Sequence, residues 1–91
     1  MSEFHNRDGQ PIDMETWAQL FKRDDYKRVA SDWIGDAHVS TIWLGMPLLG
    51  NFETMVFGGA LDCEQWRWAT EAEAVAGHAV ICELARESVR Q

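Results

Sequence analysis

Cysteine is scarce in this 91-residue chain: there are two, Cys63 and Cys82. Two thiols do not make the disulfide framework of a small secreted domain. Long apolar runs are missing, and nothing approaches the roughly 18 residues that a spanning helix needs. The first ten residues, MSEFHNRDGQ, are polar and carry no apolar signal core. Together these absences point to a cytoplasmic chain with reduced thiols and no membrane partner. Basic residues are also few, with 8 Lys and Arg against 15 Asp and Glu, a formal net charge of −7. That balance disfavours direct binding to nucleic-acid phosphates. It suits a protein that meets a basic partner. Repeats and low-complexity tracts are absent as well.

What is present describes a folded globule. Hydrophobic residues make up 46% of the chain and charged residues 25%. A chain this short predicts one domain over 1–91, burying about 60–65% of its unfolded surface. The chain contains five Trp, whose large buried area helps a small core. The charge is uneven. Residues 1–28 hold six acids and five bases, whereas 29–91 hold nine acids and three bases.

Turn and cap residues divide the chain. Asp8-Gly9 predicts a small hairpin pairing 3–6 with 10–12. Asp13 reads as a helix N-cap, and Met14, Trp17, Ala18 and Phe21 fall on one helical face. Segments 26–34 and 37–44 alternate and are rich in β-branched and aromatic residues, so they predict a hairpin closed by Gly35-Asp36. Within the first strand, Val29 and Trp33 share a face. The run 52–57 predicts a third strand, ended by Gly58-Gly59. Phe52 and Val56 are expected inward, leaving Met55 and Phe57 in need of a cover. Glu53 then faces solvent and pairs cross-strand with Lys27, Arg28 or nothing. The following ALDCEQWRW is a connector with no assigned element. Thr70 and Glu73 form a capping box for a helix running to about Arg86. Its apolar arc is expected to be Ala72, Val75, Ala76, Ala79, Val80 and Cys82, with Ile81 and Leu84 off it. The predicted fold is α+β: a small N-terminal hairpin, a short helix, a three-stranded antiparallel sheet and a C-terminal helix packed on the sheet.

The segments DGQPIDMETWAQLF, YKRVA, VSTIWLG, FETMVFGG and ATEAEAVAGHA carry a resemblance, in that order, over about residues 8–85. They resemble a family of small phage- and prophage-encoded proteins of high-GC bacteria whose function is unassigned. VSTIWLG followed by FETMVFGG is its most specific part. The link between them departs from the family: here it is the short MPLLGN rather than a longer glycine-rich connection. The resemblance implies a mobile-element origin and residence in the bacterial host cytoplasm, and it implies no catalytic residues.

Chemistry-bearing constellations are sparse. His78 and Cys82 stand i, i+4 on the last helix, a spacing that can place two ligands on one metal ion, with Cys63 as a conceivable third. No Cys-x-x-Cys accompanies them, and a helical Cys is more often a small buried hydrophobe. A thiol nucleophile would need His38 or His78 within hydrogen-bond reach of a cysteine, which the spacing does not require. Gly58-Gly59 lacks the Gly, Lys and Ser/Thr pattern of a phosphate loop. KRDDYKR mixes charge signs and reads as a solvated face.

No catalytic, cofactor or metal residue is therefore assigned. The strongest functional feature is a surplus of apolar residues: Met46, Leu48 and Leu49 in a turn, Trp66 and Trp68, and Ile81 and Leu84. These either close the edges of the core or form a partner-binding surface. The expected function is a non-enzymatic protein-binding module acting on a host or phage protein with a basic surface. One version is an inhibitor of a host defence or nucleic-acid-binding protein. A homo-oligomeric structural or accessory protein is the alternative, and a small metal or thiol enzyme comes third.

Overall fold

The computed structural model describes residues 3–90. A two-stranded hairpin, β1 (Phe4–His5) with β2 (Pro11–Ile12), opens the chain. Helix α1 (Met14–Phe21) follows, then a single helical turn, α2 (Asp24–Lys27). Strands β3 (Arg28–Ile34), β4 (Ala37–Met46), β5 (Gly50–Phe57) and β6 (Gln65–Trp68) form one antiparallel meander in the order β3-β4-β5-β6. Helix α3 (Glu71–Arg90) closes the fold. The class is α+β, but the sheet has four strands rather than three. The fourth lies in the unassigned connector, where Trp66 and Trp68 pair opposite Thr54 and Phe52. Its two alternating Trp residues were the available signal, outweighed by the polar residues around them.

The alternation of β4 sets the layering. Ala37, Val39, Thr41 and Trp43 are buried, while His38, Ser40, Ile42 and Leu44 are half-exposed. Phe52, Thr54 and Val56 of β5 are buried beside them, so Phe52 and Val56 do face inward. The hairpin and α1 cover one end of this inner face. Phe4, Trp17 and Phe21 stack in series at centroid spacings of 4.7 and 4.9 Å, and Tyr26 meets Trp43 edge-on at 5.0 Å. Trp43 donates its Nε1–H to the His5 carbonyl, and Trp17 donates its own to the Leu44 carbonyl. Both indoles therefore bury their area without stranding a donor. Met14, expected on the packed face of α1, is exposed, and Leu20 packs in its place.

Two local expectations fail for identifiable reasons. Residues 24–27 form the turn α2, so β3 begins at Arg28 rather than at residue 26. A register shift between Arg28 and Ala30 then brings Val29 against the Trp43 cluster. A bulge of this kind breaks strict alternation, so Val29 and Trp33 take opposite faces.

Helix α3 covers the rest of the inner face, starting from the cap predicted for it. The Thr70 hydroxyl accepts from the Glu73 N–H at 3.2 Å. Its buried face is not the expected arc. Ala74, Gly77, His78, Ile81, Cys82 and Ala85 are buried, whereas Ala72, Val75, Ala76, Ala79 and Val80 are exposed. Only Cys82 was placed correctly. The reason is fit. A Cβ on Gly77 would overlap the Trp68 ring, so the helix presents its glycine where the indole must lie.

Candidate functional site

The inner face carries a polar seam through the core. The Trp68 indole, which can only donate, gives its N–H to Thr54 Oγ1 at 2.9 Å. Thr54 and Thr41, both fully buried, join hydroxyl to hydroxyl at 2.5 Å. Thr41 Oγ1 lies 2.7 Å from His78 Nδ1, and His78 Nε2 lies 2.7 Å from Asp32 Oδ2. In the tautomer whose Nε2–H donates to Asp32, Nδ1 is left to accept from the Thr41 hydroxyl. The whole chain of bonds then runs one way, from Trp68 through Thr54, Thr41 and His78 to Asp32, with every donor used. Asp32 is the solvent-facing end, its side chain 57% exposed on the edge strand β3. Cys82 Sγ lies 4.0 Å from the same Asp32 oxygen.

Neither thiol is poised as a nucleophile. Burial, with the Asp32 charge second, pushes the Cys82 thiol pKa up. Asp62 pushes up that of the exposed Cys63. Cys63 sits in the turn after β5 and does not join His78 and Cys82. Asp32 takes that third place, on a strand that helical spacing could not have connected to α3. Thr41 has the Asp-His-hydroxyl arrangement of a hydrolase, yet its complete burial keeps any substrate away.

The outer face is built differently. Its register rows cross the strands. Trp33, His38 and Phe57 form one row, Ser31, Ser40, Met55 and Gln65 the next, and Arg28, Ile42, Glu53 and Arg67 the third. Trp33 and His38 stack at 4.8 Å and 13°, and His38 to Phe57 is 6.0 Å. Trp33 remains 69% exposed and Phe57 47%. His38 is oriented by the Ser31 hydroxyl, 2.7 Å from its Nε2. Glu53 lies on this face and pairs with Arg67 of β6 at 2.7 Å. It is a cross-strand partner, as expected, but Lys27 and Arg28 are not its bases, because β6 supplies a closer one.

The expected partner-binding residues do not converge. Ile81 is 2% exposed in the core, and Trp66 and Trp68 point inward against α3. They are packing residues: strand pairing of 65–68 turns both indoles onto the covered face. Met46 is half-exposed, Leu48 is 97% exposed and Leu49 is exposed, all at the β4–β5 turn. Leu84 is exposed on α3, beside the Ala85 that packs against Ala37 at the opposite end of the ten-residue strand β4. At about 3.4 Å per residue that end is roughly 30 Å away. The aromatic row of Trp33, His38 and Phe57 was not singled out beforehand. Its signal was present, since alternation put Phe57 on the face left to be covered.

Comparison of the chain with family models, with curated proteins and with solved structures returned no match. Among the described residues, no helix is long and apolar enough to cross a membrane.

Proposed function

We propose that this chain is a non-enzymatic protein-binding module of a phage or mobile element, working through the outer face of its sheet. The observation that carries this reading is the aromatic row Trp33–His38–Phe57, aligned across three strands with Trp33 stacked on His38, yet left open. Large exposed aromatics in one patch are characteristic of recognition surfaces. Acidic residues stand at one end of the row, with Asp36 exposed in the β3–β4 turn and Asp62 in the turn after Phe57, while Lys27 and Arg28 line the cleft beside Trp33 and His38. Aromatic faces suit an arginine-bearing partner surface through cation–π contact, and the chain's net charge of −7 adds longer-range attraction. A host defence or nucleic-acid-binding protein presents such a surface, and the acidic module would occupy its basic groove.

Capture from host lysate tests the reading, comparing the native chain with a Trp33→Ala/Phe57→Ala variant of unchanged melting temperature. A partner retained by the native chain, lost by the variant and released by salt is expected. Equal retention by both, or self-association alone, overturns it. A symmetric dimer through the same face is the second reading. Its support is the internal neutralisation of Glu53 by Arg67, which removes like-charge repulsion between two copies there. Sedimentation over a range of concentrations separates the two: a strict monomer excludes the dimer.

A further inference from the structure

We infer that Asp32, His78 and Cys82 form a binding site for a divalent transition metal of the zinc class. The site lies on the covered side of the sheet and is independent of the outer-face reading.

Three observations carry it. First, the ligand atoms are already gathered: His78 Nε2, Cys82 Sγ and an Asp32 carboxylate oxygen all lie within 4.8 Å of one another. In a tetrahedral site with metal–ligand bonds of about 2.0–2.3 Å, neighbouring ligand atoms stand about 3.3–3.6 Å apart. The distances from Asp32 Oδ2, 2.7 Å to His78 Nε2 and 4.0 Å to Cys82 Sγ, bracket that spacing. A shift of about half an ångström by the exposed Asp32 side chain brings both of its own distances into range, and the His78–Cys82 separation, within 4.8 Å, closes by rotation of the Cys82 thiol.

Second, the two α3 ligands are set side by side. His78 and Cys82 are buried one helical turn apart, and the His78 ring is held from behind by Thr41. Metal-bound imidazole places its second N–H on an outer partner. The Thr41 hydroxyl can fill that role, because a hydroxyl accepts as readily as it donates. On metal binding, the ring proton would move from Nε2 to Nδ1 and Thr41 would accept it, which takes the acceptor from one of the two buried threonine hydroxyl protons, a cost the new metal–ligand bonds must outweigh.

Third, the donor set of one imidazole, one thiolate and one carboxylate leaves a fourth position open on the side of the exposed Asp32. It suits zinc, cobalt(II) or nickel(II) rather than calcium or magnesium, which require oxygen ligands. Binding deprotonates Cys82: the thiol proton goes to solvent and an S–metal bond forms. Affinity therefore rises with pH.

The test uses the full chain with Cys63→Ser, so that Cys82 is the sole thiol, titrated with cobalt(II) and then zinc(II). The expected result is one cobalt per chain, with a thiolate-to-metal band in the near ultraviolet and visible bands of tetrahedral intensity, both abolished by zinc. Cys82→Ser should remove the near-ultraviolet band. Asp32→Asn, on an exposed side chain that leaves the fold intact by circular dichroism, should weaken binding by at least about tenfold. Absence of the thiolate band in the parent, or equal binding by Asp32→Asn and the parent, overturns the inference.

Discussion

The two faces of one sheet use the same alternation for opposite ends. On the inner face, Trp43 is fully buried, ringed by aromatic neighbours and satisfied at its N–H. On the outer face, Trp33 is stacked on a single histidine and largely open to water. Residue type is identical; only the covering layer differs. The inner indole therefore supports the fold, while the outer one leaves its area free for another molecule. The contrast shows that high tryptophan content in a small chain is no single signal, since each indole has to be placed before it is interpreted.

Substitution of the two tryptophans is the sharpest way to break this contrast. Trp43→Ala is expected to cost about 3–5 kcal/mol. For a domain of this size, whose total stability is about 5–14 kcal/mol, that is a large fraction. Trp33→Ala is expected to cost no more than about 0.5 kcal/mol. Urea unfolding of both variants measures the difference, and comparable losses would show the outer row to be structural.

Gly77→Ala sharpens the picture of the covered side. Helix propensity alone would make it stabilising by up to about 1 kcal/mol. The Trp68 ring occupies the space of the new methyl, so a net loss of about 1–3 kcal/mol is expected. The added variant Trp68→Leu should recover part of the helix gain in the double-mutant cycle.

The Glu53–Arg67 pair is expected to matter less. Arg67→Met should cost about 1–2 kcal/mol, because the guanidinium is partly exposed but Glu53, its side chain 15% exposed, loses its partner. Raising the salt concentration should shrink the difference between parent and variant melts.

The smallest effect lies at the start of α1. The Asp13 carboxylate accepts from Thr16 N–H at 2.8 Å, which holds its pKa below the usual carboxylate range. Because the folded value is the lower one, its contribution is present above the unfolded pKa and fades as pH falls through the folded value. Asp13→Ala should therefore lower the melting temperature near neutral pH and match the parent in strong acid.

Local signals were legible wherever one residue or one short period decides the outcome. Asp8-Gly9, Gly35-Asp36, the Asp13 cap, the Thr70–Glu73 box and the alternation through 37–44 and 52–57 all correspond to elements of the fold. The candidate site was half legible. His78 and Cys82 were visible as a helical pair, but Asp32, Thr41 and Thr54 reach them from strands distant in sequence. The outer row was implied by the need to cover Phe57, yet its partners Trp33 and His38 depend on strand register.

By itself, then, the sequence determined where the hairpins turn, where α1 and α3 begin and which residues of the central strands face together. These are short-range matters, ruled by backbone sterics and by a period of two. Tertiary structure decided which arc of α3 is buried, where β3 bulges and that 65–68 becomes a strand. The expected arc of α3 is the more apolar one, but the helix packs through Gly77 and His78. An indole must sit against the first, and two buried hydroxyls must be satisfied by the second. Hydrophobicity ranks the faces of a helix, whereas steric fit and hydrogen-bond satisfaction choose between them, and both depend on a sheet that the helix sequence does not contain.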